Sequence, residues 1–546
     1  MANALRCGVL LCMNRLVASA ALFVLSFLSQ AAEPAPLPEP AWKISGSLVI
    51  HGGGKLSGEI LDAFMKLAGD KDARIVVIPT ASDSYEDAQA EKEAELFKAR
   101  GAVIVQVLHT RSREKADDAA FVEPLKQATG VWFGGGQQKN LEKTYVGTAT
   151  GRELHALLSR GGVIGGTSAG AAAMSSVMIR GGNPQADVGK GFGFLPGAIV
   201  DQHFLKRERS PRLMAVLADH PGLVGLGIDE GTALIVHDRQ MVVLGDSSVS
   251  VCLAKSALRP ERIDAIKGPA MLDLVALSRA AVARAEAPFP PATLPAPECD
   301  GGTLIIDGGS CCKEAIGRFI ASAGGPDALI AVIPTAQGED VPGVPGEARL
   351  LQRAGAKNIK IVHARDRGEA GDPKLLDILR EAKGIWFTGG RQWHLVDSFL
   401  GTEAEKLMHA VLKRGGAIGG SSAGATIQGE YLVRGNPLGN LQMMAEGYER
   451  GMGFLKSVAI DQHFAQRNRF ADMTELKKAF PQLTGLGIDE PAALVVTGHV
   501  LEVIGAGNVQ IYDHEKASAP GEKDYEQIKP GEKYDLKEHH KIPAEK

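Results

Sequence analysis

Short runs of β-branched and apolar residues alternate along this chain with longer segments whose apolar residues recur at helical spacing. In its first half, buried strands are predicted at Leu48–Ile50, Arg74–Ile78, Val103–Leu108, Gly130–Phe133 and Gly162–Ile164. Helices are predicted between them, for example over Lys55–Ala68 and Ala88–Ala99. This alternation predicts an α/β fold, with a mostly parallel sheet flanked by helices on both faces. Ligands of such sheets bind beyond the carboxyl ends of the strands.

The whole pattern occurs twice. Matching strings are Ser47–Gly54 and Thr303–Ser310, Val77–Ala81 and Val332–Ala336, Val131–Gly136 and Ile385–Gly390, Gly165–Ala171 and Gly419–Ala425, Val200–Phe204 and Ile460–Phe464, and Gly225–Glu230 and Gly485–Glu490. Ser168 and Ser422 are 254 residues apart, whereas His203 and His463 are 260 apart, so the second copy has six extra residues between serine and histidine. We therefore predict a tandem duplication.

This repeat sets the predicted domain boundaries. The first domain spans 43–280, a proline-rich and extended linker spans 281–300, and the second domain spans 301–514. Residues 515–546 are rich in Lys and Glu and are predicted to form a solvated polar tail. The repeat leaves open whether the copies pair within one chain or whether the chain forms a homodimer.

The N-terminal segment has the pattern of an export signal. Arg6 and Arg15 precede an apolar run, Leu16–Leu28, which small residues follow. Residues 1–32 are predicted to be a cleavable signal peptide, since the run is too short to cross a bilayer, and Met13 is an alternative start. We expect a secreted or periplasmic protein with no stable membrane span.

Composition excludes several classes of protein. A net charge of −4 with 45% hydrophobic and 23% charged residues argues against disorder and against a nucleic-acid-binding surface. Four cysteines follow the predicted signal, and the sequence does not decide whether they form disulfides: Cys252, Cys299, Cys311 and Cys312. No Cys/His spacing typical of metal ligands occurs, so no metal and no cofactor is predicted. The 66 glycines exceed the usual share of ~7%, which indicates repeated tight turns.

One glycine cluster in each copy carries a candidate nucleophile. Ser168 and Ser422 lie in G-x-S-x-G strings that follow a predicted buried strand and precede a helix of small residues. A serine on such a strand-to-helix turn presents its hydroxyl outward, with the helix N-terminus behind it. The turn at Gly52–Gly54 lacks the phosphate-binding motifs, and a plain turn is predicted there.

A nucleophilic serine needs a base, and the base needs an acid that orients it. His203 and His463 lie in identical Asp-Gln-His-Phe strings and are the preferred bases. The other recurring histidines are His109 and His363, which remain a second choice, and His155 and His409, which are predicted to pack or lie at the surface. The residues themselves leave two acids open in each copy: Glu230 or Asp229, and Glu490 or Asp489.

These motifs, in this order, resemble the cyanophycinases and their relatives in peptidase family S51, over nearly all of both copies. The resemblance implies an α/β sandwich related to class I glutamine amidotransferases and a serine exopeptidase with a Ser-His-Glu arrangement. It names the catalytic residues as Ser168, His203, Glu230, Ser422, His463 and Glu490. It implies oxyanion donors at the backbone amides of Gly136 or its neighbour and of Ala169, with Gly390 and Ala423 as their counterparts.

The resemblance also implies a substrate. Cyanophycin is polyaspartate with arginine on each side-chain carboxylate, so its site should bind carboxylates with arginines and guanidinium groups with acids. Residues at matching positions are Gln138, Asp201, Gln202, Arg207, Arg209 and Arg212 in the first copy, and Gln392, Asp461, Gln462, Arg467 and Arg469 in the second. Asp472 stands where the first copy has Arg212, Arg391 where it has Gln137, and Gly231 and Pro491 where cyanophycinases tend to have Asn.

The leading hypothesis is a secreted serine exopeptidase that hydrolyses cyanophycin to β-Asp-Arg dipeptides through an acyl-enzyme, with the first copy as the better site. Two alternatives are an aspartyl dipeptidase-like peptidase acting on other Asp-containing peptides and a non-catalytic binding protein made of degenerate copies.

Overall fold

A computed structural model describes residues 43–84, 87–341, 343–513 and 523–543. The predicted signal segment, residues 1–32, lies outside these ranges. Among the described residues, every helix is too short or too polar to span a bilayer.

The first copy contains fourteen strands and nine helices within the described ranges. Its strands are β1 (Ile44–His51), β2 (Arg74–Ile78), β3 (Ile104–Val107), β4 (Gly130–Phe133), β5 (Val163–Thr167), β6 (Val177–Gly181), β7 (Asp187–Lys190), β8 (Ala198–Gln202), β9 (Val224–Ile228), β10 (Thr232–Asp238), β11 (Gln240–Gly245), β12 (Ser248–Leu253), β13 (Arg262–Lys267) and β14 (Ala270–Asp273). Its helices are α1 (Gly58–Ala68), α2 (Asp87–Lys98), α3 (Arg113–Ala116), α4 (Ala119–Gln127), α5 (Gln138–Tyr145), α6 (Ala149–Ser159), α7 (Ala169–Ala172), α8 (Ser210–Asp219) and α9 (Leu274–Ala285).

The second copy repeats this order with local changes. Its strands are β15 (Thr303–Asp307), β16 (Leu329–Ile333), β17 (Asn358–Ile361), β18 (Gly384–Phe387), β19 (Ala417–Ser421), β20 (Gly429–Tyr431), β21 (Leu455–Gln462), β22 (Thr484–Ile488), β23 (Ala492–Thr497), β24 (Val500–Gly505), β25 (Val509–Tyr512), β26 (Glu526–Ile528), β27 (Lys533–Asp535) and β28 (His540–Ile542). Its helices are α10 (Lys313–Ser322), α11 (Gly346–Arg353), α12 (Arg367–Ala370), α13 (Pro373–Glu381), α14 (Gln392–Phe399), α15 (Glu403–Lys413), α16 (Ala423–Thr426) and α17 (Phe470–Ala479).

Each copy is built on two mixed sheets flanked by helices, which confirms the predicted α/β class. In the first copy the larger sheet has the order β14-β11-β10-β1-β5-β4-β2-β3. Strands β1 to β5 pair in parallel, whereas β10, β11 and β14 add to β1 in antiparallel fashion. The smaller sheet has the order β13-β12-β9-β8. The carboxyl ends of β5 and β8 carry the serine and histidine motifs.

Close packing at the centre of the larger sheet explains part of the glycine excess. A Cβ on Gly165 would lie 2.3 Å from the ring of Trp132, so only glycine fits beneath that side chain. Trp132 in turn packs edge-on against Phe64 of α1, with ring centroids 5.2 Å apart. Helix α1 is capped at its start by the hydroxyl of Ser57 and ends at Gly69 with a φ of 102°.

A strand forms within 103–108, as predicted, but the prediction that it is buried is wrong. Strand β3 is the edge of the larger sheet, and it contacts only β2 in the described sheet order. Val103 is 60% exposed and Ile104 is 36% exposed. A β-branched run can form an edge strand as readily as a central one, and periodicity does not distinguish the two.

The prediction of a solvated tail over 515–546 is also wrong for the described residues 523–543. Strand β26 pairs with β25 as β13 pairs with β12, and β27 pairs with β24 as β14 pairs with β11. Ile528, Tyr534 and Leu536 are buried in the core of the second copy. These few apolar residues complete both sheets, so the second domain continues to residue 543 despite its charged composition.

The linker predicted at 281–300 needs two corrections. Helix α9 continues to Ala285, and the proline-rich segment that follows packs along the second copy. The ring of Phe289 stacks on Tyr431 at 6.0 Å, and the carbonyl oxygen of Pro295 accepts a hydrogen bond from the Ser457 hydroxyl at 2.7 Å. The segment is therefore part of the second copy's surface rather than a free spacer.

The two copies also contact each other directly within the chain. Asp397 on α14 accepts hydrogen bonds from Arg239 and Arg279 of the first copy, each at 2.9 Å. The guanidinium of Arg239 also lies over the Trp393 ring, 4.3 Å from its centroid. This junction is polar and largely buried.

Candidate active site

Both serines lie on strained turns between a buried strand and a short helix. Ser168 joins β5 to α7 with φ 51° and ψ −106°, and Ser422 joins β19 to α16 with φ 55° and ψ −114°. A non-glycine residue in such a conformation costs about 1–3 kcal/mol, which the surrounding fold must supply. The crossing requires glycine on both sides, since a Cβ on Gly166 would lie 2.7 Å from the backbone of Gly170. Both turns have the geometry of a nucleophile elbow.

The structure brings serine, histidine and glutamate together in each copy. Ser168 Oγ is 2.8 Å from His203 Nε2, and His203 Nδ1 is 2.7 Å from Glu230 Oε1. In the second copy, the same two distances are 3.0 Å and 2.7 Å. Each histidine thus bonds to the serine through one ring nitrogen and to the carboxylate through the other.

Both histidines are set up to be neutral near neutral pH. Burial lowers the pKa of His203 below its ordinary value of 6.5, and its hydrogen bond to Glu230 offsets only part of that effect. Burial likewise lowers the pKa of His463, and the charge of Arg467 lowers it further. A neutral imidazole beside a hydroxyl can accept its proton.

The structure distinguishes these residues from the alternatives that the sequence left open. Asp229 Oδ1 accepts from the backbone of Lys206, and its Oδ2 accepts from the Ser247 hydroxyl, so this carboxylate braces two loops. His109 lies 2.9 Å from the Thr80 hydroxyl, and His155 bonds to the carbonyl of Phe192.

The turn at Gly52–Gly54 has a role that the sequence did not reveal. The backbone N–H of His203 donates to the carbonyl of Gly52 at 2.8 Å, and Gly231 N–H donates to Gly53 at 2.9 Å. A Cβ on Gly53 would lie 2.3 Å from His203 Cε1, and Gly53 has a φ of 106°. The turn therefore positions the histidine ring. The sequence signal that could have indicated this role is the recurrence of the glycine pair in both copies.

The residues next to each serine are Ala169 and Ala423, which follow it in the chain, and Gly135 and Gly389, the neighbours of the predicted Gly136 and Gly390. Gly135, the neighbour of Gly136, packs against Ser168, because a Cβ on it would lie 3.6 Å from the serine Cβ. Gly136 is exposed, and Ala169 is the first residue of α7. In the second copy, the Gly389 N–H donates to the carboxylate of Glu347 at 3.0 Å, beside Gly390. Ala423 begins α16 as Ala169 begins α7.

Three residues predicted to bind substrate form a buried ion cluster instead. Arg212 donates to Asp201 through Nε at 2.7 Å and NH2 at 2.5 Å, and Arg209 donates to the Gln202 carbonyl at 2.5 Å. Arg212 is only 1% exposed and Asp201 is fully buried. The prediction that these groups bind the substrate is therefore wrong: the arginines neutralise a buried carboxylate two residues before His203.

The second copy builds the same cluster with a different arginine. Asp461 accepts from Arg469 at 2.6 Å, and from Arg434 NH2 at 2.9 Å. Arg434 also pairs with Asp472, which replaces the helix arginine of the first copy, at 2.6 Å. The loss of one cation at position 472 is thus compensated by a residue that the sequence comparison had not singled out.

The other predicted binding residues divide by exposure. Gln138 and Gln392 are buried and donate to the carbonyls of Ile179 and Val433, so they hold backbone rather than face solvent. Arg207 and Arg467 are exposed. Gln202 and Gln462 are buried, and within the described residues no protein group donates to the side-chain oxygen of either one.

A serine on a strained elbow, bonded to a histidine that is oriented by a carboxylate, defines a serine hydrolase on an α/β fold. Residues 45–244 and 304–504 each match the model of Peptidase family S51. The chain therefore belongs to peptidase family S51 and is a serine-type peptidase present as two tandem copies.

Several curated relatives are cyanophycinases. The protein from Geminocystis herdmanii is 34% identical over 220 residues, which cover 38% of this chain and 80% of that protein. The one from a Nostoc species is 37% identical over 203 residues, covering 35% and 67%, and that from Synechococcus elongatus is 36% identical over 202 residues, covering 35% and 62%.

Two solved structures are also similar. A peptidase from an acI-B1 Actinobacterium has 26% identity and a TM-score of 0.35, covering 42% of this chain and 97% of that one. A putative peptidase E from Listeria monocytogenes has 16% identity and a TM-score of 0.29, covering 37% and 98%.

Proposed function

We propose that this protein is an exported serine exopeptidase that hydrolyses cyanophycin to β-Asp-Arg dipeptides. The observation that carries the proposal is the hydrogen-bonded Ser168–His203–Glu230 array, in a chain whose curated relatives are cyanophycinases. The predicted signal segment supports export.

The proposed chemistry is acyl transfer. His203 accepts the proton of Ser168 as Oγ attacks a backbone carbonyl, and Glu230 stabilises the imidazolium that forms. The backbone amides of Gly136 and Ala169 stabilise the oxyanion, and the protonated histidine then gives its proton to the leaving amine. Water, activated by the same histidine, hydrolyses the acyl-enzyme and releases the dipeptide.

Two features next to His203 suit a substrate that carries carboxylate and guanidinium groups. Arg207 lies four residues beyond the histidine, and its side chain is exposed. Among the residues that the structure describes, no carboxylate forms an ion pair with it. Within the described ranges, no residue donates to the buried side-chain oxygen of Gln202, and this oxygen is placed to accept from a substrate guanidinium or amine. The buried Asp201–Arg212 pair then holds the strand that positions both residues.

We rank the first copy as the main cyanophycin site, because the residues beside the second site differ from those beside the first. Beside the first site, the Asn183 side chain donates to the Arg207 carbonyl at 3.4 Å. Beside the second, Arg391 donates to the carbonyl of Asn436 at 2.5 Å, and the chain continues to Leu438 and Leu441, which are 53% and 88% exposed. Exposed apolar side chains in the loop that contacts Arg391 match a polymer of charged groups poorly.

The direct test is incubation of the purified protein with cyanophycin, with products identified by mass. We expect β-Asp-Arg dipeptide from the wild-type chain and from Ser422→Ala, and a loss of most of it in Ser168→Ala. The absence of dipeptide from the wild-type chain would overturn the substrate assignment. Equal losses in the two variants would overturn the ranking of the sites, and cleavage of short Asp-containing peptides instead would favour an aspartyl dipeptidase.

A further inference from the structure

The six extra residues of the second copy lengthen a segment whose counterpart in the first copy is a short hairpin. Between β20 and β21, residues 434–449 replace the hairpin formed by β6 and β7, and we call them the insertion loop. The loop is closed on itself by the Arg434 N–H, which donates to the Met443 carbonyl at 2.9 Å. At its far end, the Glu449 carbonyl accepts from the Leu432 N–H at 2.7 Å.

One end of the insertion loop is attached to the second site. Arg434 is 3% exposed and supplies the second cation for Asp461, two residues before His463. The Asn436 carbonyl accepts from Arg391, which directly follows the proposed oxyanion residue Gly390. Met443 packs in the same apolar cluster as Phe464, the residue after the histidine.

The other end of the insertion loop is attached to the first copy. Glu446 accepts from Arg284 of α9 at 2.5 Å and 3.3 Å, and Glu449 pairs with Arg259. The Tyr448 hydroxyl accepts from Arg239 at 3.1 Å. These ion pairs are largely buried, since the side chains of Arg284 and Glu449 are 3% and 5% exposed.

Backbone packing fixes the same end. Gly447 has a φ of 85°, and a Cβ on it would lie 2.5 Å from the Ala280 nitrogen of α9. The loop therefore packs directly on helix α9 of the first copy. Glycine is the only residue type that allows the two backbones to lie so close at position 447.

The corresponding hairpin of the first copy is anchored within its own domain. Arg180, which occupies the position equivalent to Arg434, pairs with Glu142 at 3.4 Å and with Asp187 at 2.6 Å. In the second copy, the residue equivalent to Glu142 is Val396. Arg434 therefore has no counterpart of the carboxylate that pairs with Arg180 in the first copy.

We propose that the first copy holds the second site in its working geometry, with Arg259 and Arg284 as positioning residues that act through the insertion loop on Asp461 and His463. The dependence runs one way, because the first site's hairpin is held by residues of its own domain. This proposal rests on the proposed reactivity of the second serine.

The physical reason is the charge of the buried Asp461. If the loop detaches from the first copy, Glu446 and Glu449 lose the cations that compensate their burial, and the loop that carries Arg434 loosens. Asp461 would then keep only Arg469, and an undercompensated buried carboxylate would shift or draw in water beside His463. A shift of the base lowers reactivity more than it lowers stability, since acyl transfer depends on the alignment of serine and histidine.

Hydrogen–deuterium exchange of the full chain tests the coupling without a substrate. The variant Glu446→Gln/Glu449→Gln keeps side-chain size and removes both charges. We expect faster exchange over 434–449 and also over 461–464, with unchanged exchange over 177–204 of the first copy. Glu502→Gln, which breaks the Arg318–Glu502 pair of the same copy, is the matched control and should leave the loop unchanged.

Two exchange results would overturn the proposal. One is faster exchange confined to 445–450, because the loop would then detach without affecting the site. The other is equal acceleration over 177–204, because the variant would then have loosened both copies.

A fluorophosphonate probe tests the reactivity of both serines in one sample, with the two labelled peptides separated by mass. In the double variant, we expect labelling of Ser422 to slow about tenfold while that of Ser168 stays within about twofold. Arg259→Gln should slow Ser422 in the same direction, and Arg259→Lys should restore part of the rate. Equal rates at Ser422 in variant and parent would overturn the proposal. If neither serine of the parent reacts, the proposed function fails, and the exchange measurement still decides the coupling.

Discussion

His203 and Glu230 are joined by a 2.7 Å hydrogen bond between Nδ1 and Oε1, and the bond recurs at the same length between His463 and Glu490. Both pairs are 27 residues apart in sequence, although the serine-to-histidine spacing differs between the copies. The same carboxylate contact therefore orients the histidine ring in both copies, although the connection from serine to histidine differs in length.

Glu230→Gln should abolish most activity of the first site. The amide cannot stabilise an imidazolium and can hold the wrong tautomer, so we expect kcat/KM to fall about 1000-fold or more. Kinetics in a Ser422→Ala background isolate this site. Asp229→Asn is the neighbouring control and should retain most activity, because Asp229 bonds to Lys206 and Ser247 instead. A larger effect at Asp229 would contradict the assignment.

The pH profile should show an acid limb below pH 6.5. Burial lowers the pKa of His203, so the neutral base persists as the pH falls and is lost only below its ordinary value. Measurement of kcat/KM between pH 4 and pH 8, again in Ser422→Ala, checks this directly. Arg207→Gln removes a positive charge that lowers this pKa, and it should move the limb to higher pH. An apparent pKa above 6.5 in the parent would contradict the burial argument.

Arg212→Met should act on stability rather than on substrate affinity. It leaves the buried Asp201 short of a partner, and breaking such a pair costs about 3–5 kcal/mol. Thermal unfolding should show a lower Tm for this variant. Arg207→Met is the control, because Arg207 is exposed, and it should raise KM for cyanophycin with little change in Tm. A normal Tm with a raised KM for Arg212→Met would restore its predicted role in binding.

Gly53→Ala should inactivate the first site by displacing its histidine. The new Cβ would lie 2.3 Å from His203 Cε1, and a displacement of about 1 Å can cost ~100-fold in rate. Gly101→Ala provides a matched control, since Gly101 also has a positive φ, 88°, but nothing lies within 4 Å of its Cβ position. Equal losses of activity in the two variants would show that backbone strain, rather than the contact with histidine, matters, and full activity of Gly53→Ala would contradict both.

Deletion of residues 523–546 should destabilise the second copy. It removes β26, β27 and β28, and it uncovers the edges of β25 and β24 together with the apolar positions filled by Ile528, Tyr534 and Leu536. We expect a lower Tm and proteolysis that begins in the second copy while the Ser168 site keeps its activity. An unchanged Tm would show that the segment is dispensable.

Local sequence patterns alone predicted the duplication, the serine turns and the candidate catalytic residues of this protein. Six pairs of matching strings predicted the duplication, glycine-flanked serines after buried strands predicted the elbows, and equal histidine-to-glutamate spacing predicted the candidate catalytic arrays. These features depend on backbone conformation within a few residues of each motif, and Ser168 and Ser422 both adopt the positive φ that the motif requires.

Long-range packing decided the rest. An Arg-rich string beside a candidate base does not reveal whether its guanidinium groups face solvent or a buried carboxylate, and Arg212 faces Asp201. The sequence also could not show that Arg434 replaces it in the second copy, because the two arginines reach equivalent carboxylates, Asp201 and Asp461, from different positions in the chain. Long-range packing also explains why the polar tail belongs to two sheets. Strands β24 and β25 each have an edge that can pair with another strand, and a few apolar residues are enough to hold the tail against them.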